Sequence, residues 1–280
     1  THPEKIYREY YSQRSDDKNY CGLVRRWDFS APKIANHALT DSDRMLIGYR
    51  ESKVLGYIDN EDEELHSVHM PLKYIPEPDE ITVDFAELYV WPKDRLRLDE
   101  FINKHGKKLT NDQKIDLVQI FLSHIARLHS INVAHRDLGK HSLWVALPSK
   151  VTISNFVTAS YPDPDNKTMV SLRSLLQVGQ TEMPEEFFDD GGTQFTRDVY
   201  LAAVCAHFIL YQSWPDKDDD NLYFWSDKEE DPYSGVLNDW FSKSLNFLIA
   251  SLIFSKIPKF AVGMLYFLQI FFVKIFDPSS

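Results

Sequence analysis

The 280-residue chain is 43% hydrophobic and 14% aromatic, enough apolar material to bury one sizeable core or two packed lobes. Its formal net charge of −11 and pI near 5.4 speak against a basic face for nucleic acid and against attraction to anionic membranes. The two cysteines, Cys21 and Cys205, lie far apart in apolar surroundings, so we expect neither a disulfide framework nor a cysteine metal cluster, and a cytoplasmic protein with reduced thiols.

The chain starts at Thr1 with no basic-then-apolar leader, so no signal or transit peptide is expected, and the sequence reads as a piece cut from a longer polypeptide. "KIYREYYSQR" and "YCGLVRRWDF", separated by the polar turn "SDDKN", predict a β-hairpin. "DSDRMLIGYRESKVLGYI" puts Ile47, Glu51, Val54, Leu55 and Ile58 at helical spacing, with Asp41 and Ser42 as caps. Glu51 falls inside that apolar stripe, where a carboxylate belongs only if a base meets it. Two further strands are predicted at "ELHSVHMPLKYI" and "ITVDFAELYV", after which Pro92 marks the passage into helical sequence. "RLDEFINKHG" reads as a short helix stopped by Gly106. The next helix, "TNDQKIDLVQIFLSHIARLHS", carries Leu117, Ile120, Phe121, His124 and Leu128 on one stripe, with Thr110 or Asn111 at its cap.

"VTISNFV" reads as a short apolar strand followed by a loop, "YPDPDNK". "RDVYLAAVCAHFILYQ" is apolar nearly all round and predicts a central buried helix. The acidic run 216–231 is expected to be a solvated loop. The apolar segment 260–276 carries Gln269 and Lys274 and falls short of the ~20 residues of a membrane span, so a buried core helix is expected and no membrane partner. The sum is an α+β chain, strand-rich over 1–91 and mainly helical over 92–280.

The stretch "VAHRDLGKHSLWV", residues 133–145, is where chemistry concentrates. A helix, His135-Arg136-Asp137, a short strand and then a second strand ending in Asn155-Phe156 resemble the catalytic segment of protein kinases. Asp137 and Ser142 stand at the family's Asp-to-Asn step, and Asn155 stands where the family has the Asp of Asp-Phe-Gly. Pro184 and Glu185 in "EMPEE" resemble the family's Ala-Pro-Glu, and Asp198 in "TRDVYLAAV" matches the central-helix Asp that would hold the His-Arg-Asp backbone. "GLVRRW" offers Arg25, or else Arg26, in place of the third-strand Lys, with Glu51 as its partner. "RRWDFS" and "HRDLGKHSLW" together are similar to the kinase-like domains of large bacterial phage-defence proteins, including those that carry a nuclease-related domain.

The resemblance implies a bilobal kinase-like fold, with a small β-rich lobe over 1–91 that lacks its first strand and Gly-rich loop, and a larger helical lobe over 92–280 that lacks its last helix. It implies Asp137 as base, Arg25, Glu51, Ser142 and Asn155 around a nucleotide, Ser142 and Asn155 as degenerate metal ligands, and His135, Phe156, Glu185 and Asp198 as structural residues. His135 is expected to pack near Phe156; Lys140 and His141 receive no role. The metal position has lost its only full negative charge. A divalent ion and a carboxylate about 4 Å apart attract by about 8 kcal/mol gross at an effective dielectric of about 20, so ATP and Mg²⁺ would be held weakly. The implied function is a pseudokinase with a regulatory or scaffolding role, its partners a protein and the flanking domains of a larger chain. An active, atypical Ser/Thr kinase is the alternative. A small-molecule phosphotransferase fits less well, because it would lack the Pro-Glu and central-helix Asp arrangement.

Overall fold

The computed structural model describes residues 7–13, 21–27, 41–74, 86–90, 94–162, 193–214, 216–217 and 223–224. Among them are four α-helices and three small antiparallel sheets, a mixed α+β arrangement. β1 (Tyr7–Gln13) and β2 (Cys21–Trp27) pair antiparallel with Tyr7 opposite Trp27 and Gln13 opposite Cys21, which is the expected hairpin pairing. Alternation along β2 buries Leu23, Arg25 and Trp27 and exposes Arg26. β4 (Ala86–Val90) pairs with the other edge of β2, and β3 (Leu72–Tyr74) pairs with β4.

α1 (Asp41–Glu61) follows the predicted helix and buries Glu51, Val54, Leu55 and Ile58. The side chains of Asp41, Ser42 and Ile47 lie outside the described residues. The strand expected from Glu64 begins only at Leu72. Residues Glu63–Ser67 form a 3₁₀ turn instead, because the Asp62 carboxylate accepts from the Glu64 N–H at 3.0 Å and caps it.

β5 (Leu96–Arg97), β6 (Leu143–Ala146) and β7 (Lys150–Ile153) form the second sheet in that order. α2 (Leu98–His105) does not end on a left-handed glycine: Gly106 keeps right-handed angles, φ −49° and ψ −47°, and the chain tightens into the 3₁₀ turn Gly106–Lys108. α3 (Asn111–Ser130) is capped by Thr110 rather than Asn111. The Thr110 hydroxyl accepts from the Gln113 N–H at 3.2 Å, and the Gln113 side chain accepts from the Thr110 N–H at 3.0 Å. Its buried face runs through Leu117, Val118, Phe121, Ile125 and Leu128.

α4 (Thr193–Tyr211) packs along α3, burying Leu201, Val204, Cys205 and Ile209 as the all-round apolar pattern required. The Lys114 ammonium reaches from α3 to the Leu210 carbonyl at 2.9 Å, placing a cation at the negative end of α4. One buried cluster joins α1, α2, α3, β6, β7 and α4. In the acidic run, β8 (Asp216–Lys217) and β9 (Tyr223–Phe224) pair antiparallel, so part of this expected loop is a short ladder. Pro184, Glu185 and the segment 260–276 lie outside the described residues. Among the described residues, no helix is long and apolar enough to cross a membrane.

His124 of α3 shows what burial does to a titratable group in this core. Burial, with Arg127 and Arg95 nearby, pushes its imidazole down to about 4, and its Nδ1 has no partner among the described residues. The fold thus favours the neutral ring, so this contribution to stability is complete above about pH 6.5 and is lost as the pH falls toward 4. We expect the urea midpoint of His124→Gln to fall less than that of the wild type between pH 7 and pH 4.5; equal falls would remove His124 as the cause.

Candidate functional site

The loop between α3 and β6 is fastened from below by α4. Asp198 Oδ2 accepts from the His135 N–H and Oδ1 from the Arg136 N–H, both at 2.6 Å, and His129 Nε2 meets Oδ2 at 3.0 Å. Arg136 has φ 69°, a left-handed conformation that costs a non-glycine residue about 1–2 kcal/mol. Two charge-assisted bonds from one carboxylate offset that cost. Burial pushes the Asp198 carboxyl up, but the His129 bond, the charges of His129 and His135 and the Arg136 N–H together hold it below the usual carboxylate range.

His135 is fully buried and is fixed in one tautomer. Its Nε2–H donates to the Ser154 carbonyl at 3.0 Å, its Nδ1 accepts from the Asp137 N–H at 3.2 Å, and its ring meets Phe156 edge-on at 4.7 Å. Burial pushes its pKa down, which keeps both bonds intact at neutral pH.

Asp137 is buried, and two side chains converge on its Oδ2: Asn155 Nδ2 at 2.5 Å and His141 Nε2 at 3.0 Å. Gly139 makes room for the second contact, since a Cβ there would stand 2.9 Å from the His141 Cε1. Ser142 faces elsewhere. Its hydroxyl donates to the Gly139 carbonyl at 3.1 Å and accepts from the Gly139 N–H at 2.9 Å, so it closes the 139–142 turn.

These positions bear on a Mg²⁺ ion. Asn155 turns a donor, not an oxygen, toward Asp137, and the Ser142 hydroxyl both donates to and accepts from the Gly139 backbone. The Asn155 Oδ1 is a single neutral oxygen, buried without a partner among the described residues. This donor set does not fit a resident Mg²⁺, which needs oxygens converging in a near-octahedral shell.

The sheet meets the loop through Glu51. Arg25, not Arg26, supplies the base: its Nη1 donates to Glu51 Oε2, and the guanidinium lies 4.5 Å from the Tyr7 ring centre and 4.7 Å from that of Tyr89. The Tyr89 hydroxyl also donates to Glu51 Oε2, at 2.8 Å. The other oxygen, Oε1, accepts from the backbone N–H of Asn155 at 3.1 Å and of Phe156 at 2.9 Å. The neighbouring Arg50 donates to the Ala159 carbonyl at 2.5 Å and lies over Tyr161, so α1 grips both ends of the 3₁₀ turn Phe156–Thr158.

Five further residues in this network were given no role from the sequence: Glu9, Arg50, Tyr89, Arg97 and His141. Glu9 left one signal, sharing the Tyr7 face of β1 at period two, but only the register placed it opposite Arg25. His141 stands four residues after Asp137, a spacing at which side chains meet in a helix, and here they meet across the 139–142 turn.

Compared with known protein families and with curated proteins, the chain matches no family model and no curated sequence.

Removing the α4 anchor should be costly. Asp198→Ala strands one buried and one part-buried N–H group, at about 1–3 kcal/mol for the buried one and less for the other, so a loss of about 3 kcal/mol is expected in urea unfolding at pH 7. Asp198→Asn, which still offers one acceptor, should lose less. Equal losses would mean that the carboxylate does not act through these two bonds.

Proposed function

We propose that the chain is a bilobal protein-kinase-like domain that no longer performs metal-dependent phosphoryl transfer and serves as a pseudokinase, a regulatory or scaffolding element in a larger protein. Its strand-rich part would be the small lobe and its helical part the large one. Support comes from His135-Arg136-Asp137 at the kinase spacing, from the buried Arg25–Glu51 pair, and from Asp198 holding the two backbone amides of the loop.

The observation that carries the reading is the hydrogen bond from Asn155 Nδ2 to Asp137 Oδ2 at 2.5 Å. Phosphoryl transfer asks a protein mainly to position groups and to let a divalent ion neutralise developing charge. Two carboxylates at these positions would repel and would need a cation between them. A carboxylate and an amide attract and need none. Asp137 Oδ2 is also met by His141, so this oxygen is engaged by two side chains in the resting protein. ATP and Mg²⁺ are therefore at most weak ligands, and the partner is a protein surface rather than nucleic acid or membrane.

The intact His135-Arg136-Asp137 triplet is what an active, atypical Ser/Thr kinase would retain, with Asp137 accepting the substrate hydroxyl proton. Transfer of the γ-phosphate by the full-length protein separates the two readings, with Asp137→Asn as control. No Asp137-dependent labelling is expected; robust labelling that Asp137→Asn abolishes would overturn the pseudokinase reading.

A second test restores the missing charge. Asn155→Asp should lower stability by about 2 kcal/mol without divalent ions, through like-charge repulsion at Asp137, and recover part of it in Mg²⁺ or Mn²⁺. Thermal unfolding reads both changes, and a variant as stable as the wild type in chelator would refute the amide-for-metal argument.

A further inference from the structure

The contacts around Asp137 continue into a closed ring. Asp137 binds Asn155, whose N–H donates to Glu51; Glu51 pairs with Arg25; Arg25 meets Glu9; Glu9 pairs with Arg97; Arg97 donates to the His141 carbonyl; and the His141 ring returns to Asp137. Glu9, Arg97 and His141 are members that no kinase-like role accounts for, and Glu9 is the anion among them. Its Oε1 faces Arg25 Nε and Nη2 at 3.4 Å each, and its Oε2 takes Arg97 Nη2. Its side chain is only 5% exposed, and those of Arg25 and Arg97 are 0% and 12% exposed. Arg97 also lies 4.4 Å from the ring centre of the fully buried Trp144, which is in the same apolar cluster as Leu23, Met70 and Tyr89.

Two guanidiniums this buried repel unless an anion stands between them. The chain supplies that anion from its own first strand. We propose that Glu9 is a built-in counter-anion that locks the four-stranded sheet onto the 135–142 loop, occupying with its carboxylate the position that a polyphosphate would otherwise take between Arg25 and Arg97. The resting protein is thus closed without nucleotide or metal. Displacing Glu9 leaves two arginines, one of them already tied to Glu51, as a site for a di- or triphosphate anion. The choice of a polyphosphate rests on the kinase-like reading; the ring itself does not.

The test uses the full chain with sodium pyrophosphate in chelator, since pyrophosphate has no γ-phosphoryl group and reports binding alone. Wild-type protein should show no pyrophosphate-dependent rise in melting temperature. Glu9→Gln, which keeps the shape and removes the charge, should show one, with affinity at least about tenfold tighter, and adding Arg97→Gln should abolish it. A wild-type response equal to that of Glu9→Gln, or a folded Glu9→Gln that does not respond, overturns the proposal.

Amide hydrogen exchange on the wild type needs no variant. The N–H groups of Asn155 and Phe156, held by Glu51, should be equally protected with and without pyrophosphate; added protection overturns the lock. Pyrophosphate binding to the wild type without ATP labelling would remove the lock and leave the pseudokinase reading standing. Asp137-dependent labelling would remove that reading, while the Glu9→Gln response would still report on the ring.

Discussion

The carboxylate of Glu51 is the constraint on which the rest of this architecture depends. It sits at 1% exposure on α1, where an unpaired charge would be costly enough to unfold a marginal domain. Four donors make it tolerable: Arg25, the Tyr89 hydroxyl and the N–H groups of Asn155 and Phe156. Because those donors come from β2, β4 and the end of β7, one charge dictates where three elements meet α1. Such a network adds little net stability over an apolar replacement. What it adds is geometry, since the carboxylate has few other ways to be satisfied.

The same logic, with the sign of one contact changed, organises the loop above α4. Asp198 satisfies two amides of a backbone that turns through a left-handed residue, and His135 is held neutral between the Ser154 carbonyl and the Asp137 N–H. Asp137 is thereby aimed at Asn155 and His141 rather than at open solvent. An amide and a carboxylate attract where two carboxylates would repel, so Asn155 and Asp137 close the loop on its own side chains.

Much of this was legible beforehand. A glutamate in an apolar helical stripe announces a buried base, and Glu51 has one. Asp198 was expected, from the resemblance to the kinase central helix, to hold the backbone at His135 and Arg136, and its carboxylate accepts from both amides. What stayed hidden depended on register or on short-range packing. Seven residues separate the two strands of the first hairpin, and with a connection of that length no turn type sets which residue faces Arg25. Ser142 stood at the position expected of a metal ligand, yet a hydroxyl three residues beyond a glycine found the nearer backbone first. The strand expected from Glu64 was displaced by the cap at Asp62, a local hydrogen bond that outcompetes a weak β pattern.

Periodicity and charge, which are carried by the chain and need no partner to be read, were enough to foresee the four described helices, the first hairpin, the buried glutamate and the neutral residues at 142 and 155. It took the packing of distant elements to select Arg25 over Arg26 as the base, to point the Asn155 side-chain N–H at Asp137, and to close the ring with Glu9, Arg97 and His141. Those choices follow from which atoms come within about 3 Å of one another, and that depends on strand register, on the room left by Gly139 and on the requirement that every buried charge find a counter-charge or a hydrogen-bond partner.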